Sequence, residues 1–249
     1  IFITEQDDHL LTGIITKREL PDLSVVDEFQ TFGGYPHDIR LVGAGEQLLV
    51  VNSGYMKMEP SPKKPVPGHS RRSNLSWLTL KDGKLVDQVE VEYPMSLTHF
   101  KVAKDETIVA SGMLFPEKRT SSPVATSVWV KRKGEAGRSL YPSENLRPLF
   151  VGEGASLIID EKRELLLLAT RRSPVVFYFN YRTGECLKEC RLSAPRSIEW
   201  CRNMKEIIVV DPGRSELLRV DSVTQEVSHA VKVDGLKNNS GQHLLGLDV

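Results

Sequence analysis

Short runs of alternating apolar and polar residues, separated by polar turns, make up most of the chain. Residues 37–41 (His-Asp-Ile-Arg-Leu), for example, are followed by a Gly-Ala-Gly turn and then by the apolar run 48–51. Alternation with a period of two is typical of half-buried β-strands, whereas continuous apolar runs of about four to eight residues are typical of fully buried ones. Because no long segment has a helical period, the pattern predicts an all-β protein.

One strand–turn–strand unit occurs four times. In each copy a short first strand is followed by a polar turn and then by a glutamate that opens a more apolar second strand. The glutamates are at positions 46, 106, 164 and 206, so the spacings are 60, 58 and 42 residues. Third and fourth strands are predicted at 77–80 and 85–91, at 175–179 and 186–192, and at 216–220 and 227–233. The shortest spacing falls within the roughly 40–50 residues of a propeller blade, and the two longer ones require insertions. Repeated four-stranded units predict a β-propeller, with a β-sandwich as the alternative.

Both ends of the chain contribute incomplete units. Residues 2–4, 13–16 and 25–26 match second to fourth strands, and residues 243–247 match a lone first strand. We expect residues 1–249 to form a single propeller domain with about five blades' worth of sequence. Two arrangements are open: the ends complete one blade and close a five-bladed ring, or further blades precede Ile1.

Composition excludes several classes of protein. The chain has 33 basic and 33 acidic residues, so it lacks the excess positive charge that general nucleic-acid binding needs. Three cysteines are too few for a disulfide-built scaffold. The longest apolar runs, such as residues 165–169, are far shorter than the ~20 residues of a membrane span. We therefore expect neither a nucleic-acid partner nor a membrane-spanning segment.

Histidines open three of the five predicted first strands: His37, His99 and His243. The first strands of a propeller line its channel, so we expect these side chains, with Asp38, to ring one channel mouth. Imidazole and carboxylate groups bind transition metals, and these histidines are predicted to hold such a metal or a small anionic ligand. The alternative is that each histidine is a polar plug bonded to backbone. Ser156 and Ser197 are the expected counterparts in the other two strands.

Two long connections are predicted between second and third strands, at 52–74 and 112–126. Both would overhang the mouth that carries the histidines, and loops of this length are often functional. The first is predicted to be either a cationic lid over an acidic ligand or partner, or a solvated loop. Its candidate contact residues are Lys63, Lys64, His69, Arg71 and Arg72.

Signatures of catalysis are missing from the sequence. It contains no Gly-x-Ser-x-Gly, no phosphate-binding loop and no His-Glu-x-x-His, so we predict no catalytic residues. Cys186 and Cys190 lie too far apart along one predicted strand to form a disulfide, and we expect inert thiols. Arg171 and Arg172 are interpreted as a surface pair.

Several segments resemble a bacterial propeller family of unknown function, within the superfamily of YVTN and quinoprotein amine dehydrogenase β-chain-like propellers. They are residues 2–7, 34–38 (Gly-Tyr-Pro-His-Asp), 49–54, 96–99 (Ser-Leu-Thr-His) and 242–244. Members of that family are often encoded beside imelysin-type, iron-regulated envelope proteins. The resemblance implies a seven-bladed periplasmic propeller, exported by a signal upstream of Ile1, with a connection to the uptake of iron or another metal.

Taken together, these features predict a non-catalytic binding module of the bacterial cell envelope. Its partner is either a protein or a small ligand, and the predicted site is the channel mouth. The alternative is a metal-assisted hydrolase or lactonase-like enzyme that uses the same mouth, with a bound cation to polarise a carbonyl or activate water.

Overall fold

A computed structural model of the chain describes residues 1–7, 12–54, 72–92, 94–114, 125–201 and 205–236. These residues form five antiparallel β-sheets, one with three strands and four with four strands. Within these ranges the only helical segments are short 3-10 turns at Gly43–Gly45 and Arg147–Leu149. Among the described residues, no helix has the length and apolar character that crossing a membrane requires. The all-β prediction is therefore confirmed.

The chain divides into two compact units, residues 1–98 and 99–249. The first unit holds a three-stranded sheet, as predicted for the start of the chain, and a four-stranded sheet. The strands of the three-stranded sheet are β1 (Phe2–Asp7), β2 (Thr12–Arg18) and β3 (Val25–Gln30). Those of the four-stranded sheet are β4 (Pro36–Val42), β5 (Gln47–Asn52), β6 (Asn74–Thr79) and β7 (Leu85–Glu90).

The second unit holds three four-stranded sheets, and the boundary between the units falls within the first strand of the first of these. That sheet consists of β8 (Met95–Val102), β9 (Ile108–Leu114), β10 (Ala125–Lys131) and β11 (Arg138–Leu140). The next consists of β12 (Gly154–Asp160), β13 (Leu165–Thr170), β14 (Val175–Asn180) and β15 (Cys186–Arg191). The last consists of β16 (Ser197–Trp200), β17 (Glu206–Asp211), β18 (Glu216–Asp221) and β19 (Val227–Lys232).

Every sheet is a simple meander in which strands pair in chain order. The repeated unit that the sequence predicts is therefore present, and the strands at 77–80, 175–179 and 216–220 pair as third strands. Strand β10 is the third strand predicted after the connection at 112–126, whereas β11 was not predicted from the sequence. Their sheet also pairs in the order β11-β10-β9-β8, so it has the same plan as the others.

The apolar runs of the second unit are continuous because both faces of their strands are buried. Strand β14 sends Val175, Phe177 and Phe179 into one apolar cluster, and Val176 and Tyr178 into another. The first cluster also contains residues of β9 and β10, and the second contains residues of β17 and β18. The middle sheet is thus covered on both faces by its neighbours, and each buried aliphatic or aromatic side chain contributes roughly 1.5–3 kcal/mol.

The first strands of successive sheets in the second unit are linked through side chains. The Ser156 hydroxyl accepts a hydrogen bond from the backbone N–H of Ile198 (3.2 Å) and donates one to the Ile198 carbonyl (3.3 Å). On the other side of β12, the Ser111 hydroxyl donates to the Gly154 carbonyl (3.2 Å). The first two bonds occupy both backbone groups of Ile198 at the edge of β16, and the third occupies a backbone carbonyl of β12.

A turn that contains Asp82 and Gly83 joins β6 to β7. Gly83 has a φ of 64°, in the left-handed region that glycine adopts at little cost. A Cβ atom at Gly83 would lie 2.4 Å from Cδ1 of the buried Phe29 ring. Both the backbone conformation and the packing therefore require glycine here.

We expect Gly83→Ala to lower the free energy of unfolding by roughly 2–4 kcal/mol, because left-handed strain of about 1 kcal/mol adds to a steric clash of about 1–3 kcal/mol. Gly45→Ala is the matched control, since Gly45 also has a positive φ (87°) but no atom within 4 Å of an added Cβ. Urea unfolding of both variants measures the difference. Equal losses in the two variants would contradict the predicted clash with Phe29.

Candidate functional site

A depression in the second unit is lined by His99, Glu153, Ala155, Arg171 and Arg196. His99 is on β8, Glu153 and Ala155 are at the start of β12, Arg171 follows β13, and Arg196 precedes β16. Three successive sheets therefore contribute to it. The empty space is about 220 Å³, part of which is open to solvent, so the depression accommodates only a small ligand.

The backbone around Glu153 is held by three hydrogen bonds. The carbonyls of Gly152, Glu153 and Gly154 accept from the Thr126 hydroxyl (2.9 Å), the Arg171 N–H (2.9 Å) and the Ser111 hydroxyl (3.2 Å) respectively. Gly152 has a φ of 83°, which turns the chain into β12. Glu153 is thus fixed in position before any ligand binds.

The Glu153 carboxylate has a cation and an imidazole beside it. Its oxygen lies 3.2 Å from a terminal guanidinium nitrogen of Arg171, and its side chain is only 12% exposed. One of the ring nitrogens of the half-buried His99 lies within 4.8 Å of a Glu153 carboxylate oxygen. Imidazole and carboxylate are both transition-metal ligands, so His99 and Glu153 can supply two ligands to one ion.

Arg196 is the second cation of the depression. The preceding loop is anchored because the backbone N–H groups of Ser193 and Ala194 each donate to the buried carboxylate of Asp211 (2.9 Å). The buried Nε of Arg196 has no hydrogen-bond partner among the described residues. Burial, and then the nearby charge of Arg171, lower the pKa of Arg196, and Glu153 opposes that shift. The guanidinium remains charged, because arginine side chains are not deprotonated in proteins.

A second ion pair links the first strands of two sheets that are not consecutive. The ammonium of Lys101 on β8 lies 4.0 Å from the carboxylate of Glu199 on β16. Strand β12 contacts both β9 and β16, so it lies between the sheets that carry these two residues. The first strands of three sheets are therefore close enough for their side chains to meet.

The register of the first strands differs from the prediction. On β4, Pro36 pairs with Asn52 and Asp38 pairs with Val51, so two residues of β4 are passed for one of β5. His37 is therefore the extra residue of a β-bulge. In β12 the extra residue is Ala155. Because both strands have their extra residue at the same point, the counterpart of His37 is Ala155 and not Ser156. His99 also does not open its strand, since β8 already begins at Met95.

The other predicted site residues are distributed as follows. Exposed His37 and partly buried Asp38 lie on β4 of the first unit, where Asp38 accepts the Ile39 N–H (2.9 Å). Arg72 is exposed, and a terminal nitrogen of its guanidinium lies 3.9 Å from a carboxylate oxygen of Glu90. Residues that fall outside the described ranges are Lys63, Lys64, His69, Arg71 and His243. The convergence of the three histidines stays a prediction.

The long connections are found where they were predicted. One joins β5 to β6, between residues 52 and 74. The other lies between Leu114 and Ala125. It is shorter than predicted because β9 continues past residue 112 and β10 begins before residue 126.

Sequence reasoning missed Glu153, Arg171 and Arg196. Arg171 was interpreted as part of a surface pair, but it contacts Glu153 in the depression. Each of the three residues lies just outside a strand, where periodicity carries no information. In an antiparallel sheet, the residue directly before the first strand and the residue directly after the second strand lie at the same end of the sheet. Polar residues at these positions could therefore have been identified as neighbours from the sequence.

The three cysteines are all free, and they are separate from the depression. Burial raises the pKa of the Cys186 thiol to about 11, with a smaller contribution from Glu189. Burial also raises the pKa of Cys190. Both thiols are thus protonated at neutral pH, and thiols in that state are poor nucleophiles and metal ligands.

We expect Cys186 and Cys190 to react with iodoacetamide at pH 8 at least tenfold more slowly in the native protein than in urea, because the raised pKa removes thiolate. Peptide mapping by mass spectrometry assigns the modified site. Equal native and denatured rates at either cysteine would contradict this expectation.

A comparison with curated proteins finds no match. A family described as "Protein of unknown function (DUF1513)" matches residues 1–241, which is almost the whole chain. The chain therefore belongs to the DUF1513 family of proteins of unknown function.

Proposed function

We propose that the repeated sheets are blades of a β-propeller, seven-bladed in the complete protein and forming a single domain. The contacts of β12 with β16 and with β9 support this arrangement, as does the ion pair between Lys101 and Glu199. In a propeller, the first strands of successive blades converge on a channel, and side chains of non-consecutive blades meet there.

The function that the geometry supports best is binding of a small ligand by a non-catalytic module. The observation that carries this proposal is the depression to which three successive sheets contribute His99, Glu153, Arg171 and Arg196. A polar site with fixed charged groups, built on strands and anchored loops, is typical of ligand recognition. The resemblance to envelope-associated propellers supports a periplasmic location and a connection to metal uptake.

Two ligand classes are consistent with these side chains. A transition-metal ion would use His99 and Glu153 and, in the whole propeller, His37 and His243 as further ligands. A small anion would use the cationic groups instead, with the loop residues Lys63, Lys64, His69, Arg71 and Arg72 as a cationic lid. Either ligand would make His99 a contact residue.

A metal-assisted hydrolase or lactonase is the competing proposal. Such an enzyme needs a cation and a positioned water, and the same His99 and Glu153 would supply the ligands. Binding needs only a ligand that fits the side chains lining the depression, whereas catalysis also needs an activated water. Binding without catalysis is therefore the simpler use of the site.

We expect the purified chain to bind either a transition-metal ion (Zn²⁺, Ni²⁺ or Cu²⁺) or inorganic phosphate, with at least tenfold weaker binding in His99→Ala. Isothermal titration calorimetry measures both classes of ligand separately. His229→Ala is the matched control, because His229 is an exposed histidine on β19. The His229→Ala variant should bind the same ligand as tightly as the unmodified chain does.

Absence of binding to every ligand, or unchanged affinity in His99→Ala, would contradict the proposed site. Turnover of an ester or lactone panel that is lost in His99→Ala would instead establish the enzyme.

A further inference from the structure

We propose that the ligand of the depression is a small oxyanion, a carboxylate or phosphate group, and that Arg196 is its principal contact. This inference rests on the proposed function and names the class of ligand. Guanidinium groups bind carboxylate and phosphate oxygens through two parallel N–H donors, which gives both affinity and orientation.

The first observation is the difference between the two arginines of the depression. Arg171 is neutralised by Glu153 at 3.2 Å. Arg196 forms no ion pair with any carboxylate in the described part of the chain, and its buried Nε has no hydrogen-bond partner there. An unsatisfied, partly buried guanidinium is costly, and a bound anion would remove that cost.

The second observation is the charge balance of the lining. Arg171 and Arg196 contribute two positive charges, while Glu153 contributes the single negative charge. His99 adds either a neutral donor or, when protonated, a further cation. Glu153 is the one carboxylate among the described lining residues, and it is paired with Arg171. The depression therefore carries a net positive charge within a chain whose formal net charge is zero.

The third observation is that Arg196 is held in place before a ligand arrives. Its own N–H donates to the Val210 carbonyl (3.0 Å), and the two N–H groups of the preceding loop donate to Asp211. Pro195, directly before it, is buried. An anchored backbone lowers the entropy that ordering a cationic side chain costs on binding.

The fourth observation concerns space. The bulge of β12 places Ala155, with a single methyl group, on the wall of the depression. A small residue at this position leaves room beside Arg196 and His99.

Titration calorimetry of the full chain at low ionic strength, with inorganic phosphate and with oxalate as separate probes, tests the proposal. We expect Arg196→Gln to weaken binding of the preferred anion at least tenfold. Arg196→Lys, which keeps the charge but loses the paired donors, should give an intermediate loss. Arg191→Gln is the matched control, because Arg191 is 68% exposed and lies beside Glu189, away from the depression. Circular dichroism melting confirms that each variant is folded.

Each outcome separates this inference from the proposed function. Preference for oxalate or for phosphate identifies the oxyanion. Binding of a metal ion without binding of either anion would overturn the inference but leave the proposed function standing. Equal anion affinity in Arg196→Gln and Arg191→Gln would have the same consequence. Absence of binding to metal ions and anions alike would overturn both. If Arg196→Gln does not fold, Arg196→Lys decides by the same comparison with Arg191→Gln.

Discussion

The free edge of each first strand is the constraint on which the second unit depends. An edge strand presents unpaired N–H and C=O groups, and each such group costs roughly 1–3 kcal/mol when it is buried without a partner. Hydroxyl groups satisfy this requirement at both β16 and β12, since Ser156 bonds to both backbone groups of Ile198 and Ser111 bonds to the Gly154 carbonyl. The indole N–H of Trp200 also donates to the Ile159 carbonyl (2.9 Å).

These bonds position the polar residues as well as the strands. Glu153 directly precedes the bonded Gly154, and Arg196 lies two residues before Ile198. Holding the strand ends together therefore brings a carboxylate and a guanidinium from separate sheets to one depression. Their burial has a cost, which the ion pair with Arg171 offsets for Glu153, whereas Arg196 forms no ion pair with a carboxylate in the described part of the chain. The remaining positive charge is a consequence of how the sheets meet, and it is the chemical basis of the proposed ligand site.

The sequence contains enough information for the sheets but not for the site. Strands such as β14 were predictable because five consecutive apolar residues fit a strand buried on both faces. Strand β11 has three residues, too few for a period, and it was therefore not predicted. The bulge at Ala155 shifted the expected alignment by one residue. Glu153 and Arg196 meet through tertiary contacts between strand ends, which no local pattern encodes.

A crystal structure of the chain soaked with selenate, with anomalous data collected at the selenium edge, tests the central claim most directly. The claim is that the ends of first strands from successive sheets build one anion site. It predicts an anomalous peak within hydrogen-bond distance of the Arg196 guanidinium, with His99 and Glu153 on the walls of the same depression. An Arg196 side chain directed away from His99 and Glu153, with no peak between them, would contradict the claim.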